Sequence, residues 1–351
     1  MNDFDFETRR ARLEPLLESA RSLADPASER GRLARERLAH SSGLSAQGVD
    51  FALQRCLEIA PDEREIAALI RSTPSAQVAH VLLSANVFVA AHRAIAIALA
   101  ASAEVRVRAS RREPEMAELL LAGAPGSFQL VTELSPHSGD RLWAYGSDDT
   151  MAEVAATLPA GVALHAHGSG FGVAVLDEVP PEAELGALLG RLAEDIALFD
   201  QRGCLSPRVL LVNAEPESAH TVVRELTAQL EKLEKLVPRG KLTAHESSEI
   251  SQYRDTAHYI GELCEAGSGY VSFSARDGWL LPPTGRNIHV LTAPDAFTTL
   301  SRYRPLLTSC AFFGKPARRA ELGRAIPGAR VCQFGEMQRP PFDGPVDRRE
   351  L

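Results

Sequence analysis

The chain has 351 residues, 45% of them apolar and 24% charged, with a formal net charge of −8. That length and apolar share suit two lobes with a sizeable core, and the acidic balance argues against a general nucleic-acid binder, which relies on basic surface. Five cysteines, an odd number without CxxC spacing, argue against a disulfide framework or a paired zinc motif and point to a reducing, cytoplasmic setting.

The opening Met1-Asn2-Asp3-Phe4-Asp5-Phe6 is acidic and lacks the basic-then-apolar order of a signal peptide. Residues 7–73 read as Arg/Glu-rich helices broken near Asp25-Pro26 and Ala60-Pro61. From Val78 the pattern changes to short apolar runs between helical segments. Strands are predicted at Val78–Leu83, Val105–Val107, Phe128–Val131, Leu142–Tyr145, Val162–Ala166 and Val173–Leu176. Helices are predicted at Ala90–Ala101, Glu115–Leu121 and Thr150–Thr157. The longest apolar run, Ala94 to Ala103, is only about half a membrane span, so a buried helix is expected rather than a transmembrane one. This β-α alternation implies an α/β protein whose parallel sheet is covered by helices and binds ligand at the carboxyl ends of its strands.

Val179-Pro180-Pro181-Glu182 predicts a lobe boundary near residue 180: N-terminal helices and a dinucleotide-binding lobe over 1–180, a catalytic lobe over 181–351. Beyond it, Leu185, Leu188, Leu189, Leu192, Ile196 and Phe199 mark one buried face of a helix that ends just before Cys204. A strand follows at Arg208–Val212 and a charged helix at Ser218–Leu236. Next come a polar segment, a turn at Gly267-Ser268-Gly269, and strands near Tyr270–Phe273 and Ile288–Leu291. The Pro-, Gly- and Asp-rich tail after Met337 reads as irregular surface structure.

Cys204 therefore falls on a short loop between rigid elements, with Gly203 beside it and Arg202 and Arg208 flanking it. A thiol attacks at neutral pH only when its pKa is lowered or positive charge is near. The alternative is a small buried hydrophobe, the reading that fits the other four cysteines.

Several segments, in this order along the chain, resemble the aldehyde dehydrogenase superfamily, and within it the acyl-CoA reductases similar to the fatty-acid reductase of bacterial luminescence. Ala85-Asn86-Val87-Phe88 is similar to the segment bearing that family's oxyanion-hole asparagine. Val107-Arg108-Ala109-Ser110 resembles its strand-end Lys-Pro-Ser, and Ala144-Tyr145-Gly146-Ser147 its Phe-Thr-Gly-Ser. His167-Gly168-Ser169 resembles the Leu-Gly-Gly after the general-base glutamate, and Gln201-Arg202-Gly203-Cys204 the Gly-Gln-x-Cys. Phe334-Gly335-Glu336-Met337-Gln338-Arg339-Pro340-Pro341 is similar to the reductase branch's closing segment. The resemblance runs from about residue 76 to the end. Two departures stand out: Ala166 occupies the general-base position, and Leu281-Pro282-Pro283 replaces the Glu-x-Phe-Gly-Pro segment.

The resemblance implies a Rossmann-like cofactor lobe, a catalytic lobe, and NADPH-dependent reduction of an acyl thioester to an aldehyde. Cys204 would be the nucleophile, and Asn86, with the Cys204 backbone N–H, would form the oxyanion hole. Arg108, Ser110, Gly146, Ser147 and Gly168 would bind cofactor, with the pyrophosphate at the helix start. Arg106, Arg108, Arg111 and Arg112 would meet the 2′-phosphate. Simpler readings stand beside these: a loop asparagine, a capped helix, a solvated basic turn. Gly168-Ser169-Gly170 reads as close backbone approach, and His165 and His167 read as hydrogen-bonded core histidines on the sheet face opposite Ala166. The expected partners are an acyl-CoA or acyl carrier protein substrate, an acyl-transferring enzyme and a second copy in a homodimer, with neither nucleic acid nor membrane. An aldehyde-oxidising dehydrogenase and an inactive member serving as an assembly partner are the alternatives; the missing carboxylate at Ala166 argues against the first.

Overall fold

The computed structural model describes residues 3–275 and 278–349; Met1 and Asn2 of the acidic opening and the last two residues of the resembling stretch lie outside them. Four helices come first: α1 (Asp3–Ala24), α2 (Glu29–Ser41), α3 (Ala46–Cys56) and α4 (Glu63–Ser72). The predicted breaks at Asp25-Pro26 and Ala60-Pro61 are present. A third separates α2 from α3, where Ser45 accepts the Gly48 N–H as N-cap. Asp62 and Glu65 close a capping box on α4.

The first sheet is made of β1 (Val78–Leu82), β2 (Glu104–Arg108), β3 (Gln129–Leu130), β4 (Arg141–Tyr145) and β5 (Ala163–His167), in the order β3-β2-β1-β4-β5. Its connections are α5 (Ala90–Ala101), α6 (Glu115–Gly123) and α7 (Asp148–Thr157). All pairings are parallel. The chain departs from β1 to one side and returns to its other side as β4. This reversal leaves a crevice at the strands' carboxyl ends. The register aligns those ends: Leu82 lies beside Arg108 and Ala144, and Tyr145 beside His167. Helix α5 is nearly all apolar because it is buried all round, from Ala91 to Ala101.

The second sheet holds β6 (Phe171–Leu176), β7 (Pro207–Val212), β8 (Glu262–Ala266), β9 (Gly269–Ser274), β10 (Ile288–Thr292), β11 (Leu307–Phe313) and β12 (Arg330–Cys332), in the order β12-β11-β6-β7-β10-β9-β8. Only β8–β9 is antiparallel among the described pairings. Helices α8 (Glu182–Ala197), α9 (Pro216–Leu236), α10 (Ala244–Ile260), α11 (Ala296–Ser301) and α12 (Pro316–Ala325) complete it. The apolar stripe of α8 packs with that of α9 against one sheet face, and a second cluster around Phe171, Leu211 and Leu300 fills the other.

Three findings correct the sequence reading. The sheets change between His167 and Phe171, so β6 belongs to the second sheet and the boundary precedes residue 180. The diprolyl interruption there starts α8 and leaves the sheet untouched. The polar segment after α9 is the helix α10. The tail after Met337 is irregular, yet it is no surface appendage. It returns to the first sheet's helices, where Phe342 is buried and stacks on His92, and Arg93 donates to the carbonyls of Pro340, Pro341 and Gly344. Among the described residues no helix is long and apolar enough to cross a membrane.

Candidate active site

The loop carrying Cys204 is reached through an unusual backbone. After α8, Phe199, Asp200 and Gln201 all take left-handed conformations, with φ of 55°, 49° and 62°. Such conformations are costly for non-glycine residues and persist only when their surroundings fix them. Here each is fixed. Phe199 meets Phe88 edge to face. Asp200 forms a buried ion pair with Arg286 (Nε 2.9 Å, Nη2 2.8 Å) and accepts the Gly240 N–H. Gln201 donates to the carbonyls of Pro207 and Asn287 and accepts the Asn287 N–H at 2.7 Å. Beyond the turn, Thr308 donates to the Cys204 carbonyl and Ser309 to that of Leu205.

Cys204 is half-buried. Burial, with Asp347 adding to it, pushes its thiol pKa up to about 11; Arg349 and the backbone N–H groups of Cys204 and Leu205 pull the other way. The flanking arginines expected to activate it are committed elsewhere. Arg202 pairs with Glu246 at 2.7 Å, and Arg208 donates to the Pro282 carbonyl. The thiol is therefore protonated at neutral pH and needs a base. Burial raises the Cys56, Cys310 and Cys332 thiols further still.

Cys204 opens onto a cleft of about 820 Å³ between the two sheets. The same cleft is lined by Asn86, Arg108, Ser110, Gly146, Ser147 and Gly168, so the expected nucleophile, oxyanion donor and cofactor residues meet in it. Asn86, on the loop after β1, accepts from Arg112 through Oδ1 (3.1 Å), which leaves its amide N–H group to donate. Gly146 and Ser147 lie at the start of α7, with Ser147 as N-cap. Asp148, which would repel a phosphate at this helix start, accepts the Ser169 N–H at 2.7 Å. A Cβ on Gly168 would lie 2.3 Å from Asp148 Oδ1, so a larger residue there would displace the Asp148 carboxylate. Arg108 and Arg111 line the cleft and make no ion pair among the described residues, whereas Arg106 pairs with Glu104 and lies outside it. Uncommitted guanidiniums beside a capped helix start fit the phosphates of a nicotinamide dinucleotide.

Three further features were missed from sequence. Ala166 does not line the cleft; it packs beneath α7 with Leu142, Ala144 and Met151. The strand's other face is turned there, so His167 lines the cleft, stacked on Tyr145 with ring centroids 4.6 Å apart. His167 is no hydrogen-bonded core histidine, since its Nε2 is buried without a partner. His165, stacked on Trp143, lies outside the cleft with Arg141 at its Nε2. The tail brings Gln338 and Asp347 to the cleft wall. Strand alternation separates the histidines from Ala166 in sequence, but nothing in the tail's composition announces its return.

The fold is aldehyde dehydrogenase-like, as three solved structures show. An NADP-dependent glyceraldehyde-3-phosphate dehydrogenase from Bacillus halodurans, solved with NADP, is similar at a TM-score of 0.66 and 14% identity, over 95% of this chain and 80% of that one. Aldehyde dehydrogenase 21 from Physcomitrella patens, solved with succinate, is similar at 0.69 and 13%, over 96% and 79%. An NAD-dependent benzaldehyde dehydrogenase from Corynebacterium glutamicum is similar at 0.67 and 14%, over 94% and 82%. No curated protein sequence matches. The family profile for acyl-CoA reductase (LuxC) matches residues 124–348, and the chain belongs to that family. That membership makes it an oxidoreductase of the acyl-CoA reductase family.

Proposed function

We propose that this protein reduces an acyl thioester to an aldehyde with NADPH, through an acyl-enzyme on Cys204. The observation that carries this reading is the shared cleft. The Cys204 thiol, the free amide of Asn86 and the unpaired Arg108 and Arg111 line one cleft, in a chain of the acyl-CoA reductase family.

The thiol of Cys204 attacks the thioester carbonyl, and Asn86 with the Cys204 N–H stabilises the oxyanion. Departure of coenzyme A or a carrier-protein thiol leaves the acyl group on sulfur. Cysteine suits this exchange because one thioester converts readily to another. Residues 1–168 supply the cofactor surface: Gly146, Ser147 and Gly168 for the pyrophosphate, Ser110 for the ribose, Arg108 with Arg111 for the 2′-phosphate. Reduced nicotinamide held by these residues would supply the hydride for the acyl carbon. The second lobe supplies the nucleophile. An acyl-transferring partner would load the cleft, and a homodimer is the proposed assembly.

Oxidation of an aldehyde to an acid is a second reading, favoured by the unpartnered imidazole of His167, which is able to activate water. Steady-state assays of aldehyde formation from acyl-CoA of graded length, with NADPH and NADH, test the first reading. Native protein is expected to form aldehyde and Cys204→Ser to form none while remaining folded. Equal rates in both would remove Cys204 from the chemistry.

A further inference from the structure

We propose that His167 is the base of this site. Through one bridging water, its Nε2 takes the Cys204 thiol proton as sulfur attacks and returns it to the sulfur of the departing thiol; this rests on the thioester reading above. In the acylation step the Cys204 S–H and the substrate C–S bond break, and a new C–S bond forms at Cys204. The proton ends on the released thiol, with no oxidant or reductant needed.

Elimination within the cleft supports the assignment. Glu58 is paired with Arg93, which is itself anchored on carbonyls of the tail. Asp347 is doubly bound by the Arg349 guanidinium, at 2.9 Å and 2.6 Å. Burial raises the Tyr145 hydroxyl well above its ordinary value, and Glu153 is solvated at the rim. Among the described residues lining the cleft, only His167 offers a buried imidazole nitrogen without a partner.

The groups around it keep it neutral and fixed. Burial lowers its pKa to about 4; Asp347 opposes that shift, and His165 and Arg349 add to it. From α7, Asp148 is spent on the Ser169 N–H. Tyr145 from β4 fixes the ring plane, and its hydroxyl senses Cys204 and Asp347 electrostatically. Arg349 braces the assembly by donating to the carbonyls of Ser169 and Pro305, both at 2.9 Å. A neutral imidazole with a free lone pair, in the same cleft as a protonated thiol, is the pairing that general-base attack requires.

The test measures two reactions of Cys204 by intact mass from pH 5.5 to 9.5: acylation by an acyl-CoA, and alkylation by iodoacetamide, which needs no acyl recognition. His167→Gln removes the base; His167→Phe removes it while retaining the stack on Tyr145. Native protein should react at a rate nearly level between pH 6 and 8. In both variants the rate should rise about tenfold per pH unit and at pH 7 fall about 10²-fold or more below native. Unchanged rates and slope in either folded variant would overturn the assignment, even with an acyl adduct still forming on Cys204. His167-dependent alkylation without any acyl adduct on native protein would uphold the base and overturn the thioester reading instead.

Discussion

Arginines in and around the cleft fall into two groups, those tied to a partner and those open to a ligand. Arg202, Arg208 and Arg349 are engaged by Glu246, the Pro282 carbonyl and Asp347. Arg108 and Arg111 make no ion pair among the described residues, and a 2′-phosphate would find them free. Arg108→Ala and Arg111→Ala should each reduce the preference for NADPH over NADH by about 1–3 kcal/mol, as expected for charge-assisted bonds. Arg106→Ala should leave the preference unchanged, because Arg106 is already neutralised by Glu104 and lies outside the cleft. Steady-state kinetics with both cofactors check this, and an effect confined to Arg106 would contradict it. The Cys204 position was legible because helix, glycine and strand signals bracket it. Its activation was not: the neighbours in sequence are turned to other partners, and the groups that act on the sulfur come from β5 and the tail.

Among the elements, the left-handed turn 199–201 positions the Cys204 loop. Its strain is offset by the Asp200–Arg286 pair, both members of which are almost wholly inaccessible. Asp200→Ala would leave Arg286 with Glu234 as its one carboxylate. The expected loss is about 3 kcal/mol, as for breaking a buried pair, read by urea denaturation. A loss below about 1 kcal/mol would mean that the turn is held by Gln201 and Phe199 without it. Helix α5 was legible to the residue because a nearly all-apolar run of that length is driven to a buried place. Helix α10 was not, since its 17 residues bury only Ile250, Tyr253 and Ala257, and a stripe so thin is lost among polar residues. Strand β8 escaped for the same reason: Glu262 and Glu265 are exposed on an edge. The sheet change at Gly168-Ser169-Gly170 carries no signal beyond glycine, whereas the prolines near residue 180 mark only a helix start.

On the scale of the whole molecule, two sheets share one cleft, and the tail ties them together through Phe342 and Arg93. Buried histidines make this assembly pH-sensitive. Burial lowers His289, held between Ser272 and Ser274, to about 4, as it does His167. Because the neutral imidazole is favoured on folding, the unfolded chain binds more protons between about pH 4 and 6.5. Stability from each of these two histidines is therefore present above the unfolded value and lost as the pH falls toward 4, on the order of 1–3 kcal/mol each. Asp195, which burial pushes up to about 7, runs the other way, and its contribution grows as the pH falls over the same range. His289→Asn should accordingly lose less stability than native protein between pH 6.5 and 4. Denaturation midpoints across that range check it, and parallel curves would contradict it.

The central claim is that one thiol carries the acyl group from thioester to aldehyde. A single-turnover experiment tests it most directly. Native protein is mixed with acyl-CoA, freed of excess by desalting, and followed by intact mass before and after NADPH is added. The account predicts an acyl adduct on Cys204 that persists without cofactor. On addition of NADPH it should disappear with one equivalent of aldehyde released. Failure to form the adduct, or its discharge as free acid before NADPH is added, would contradict the account.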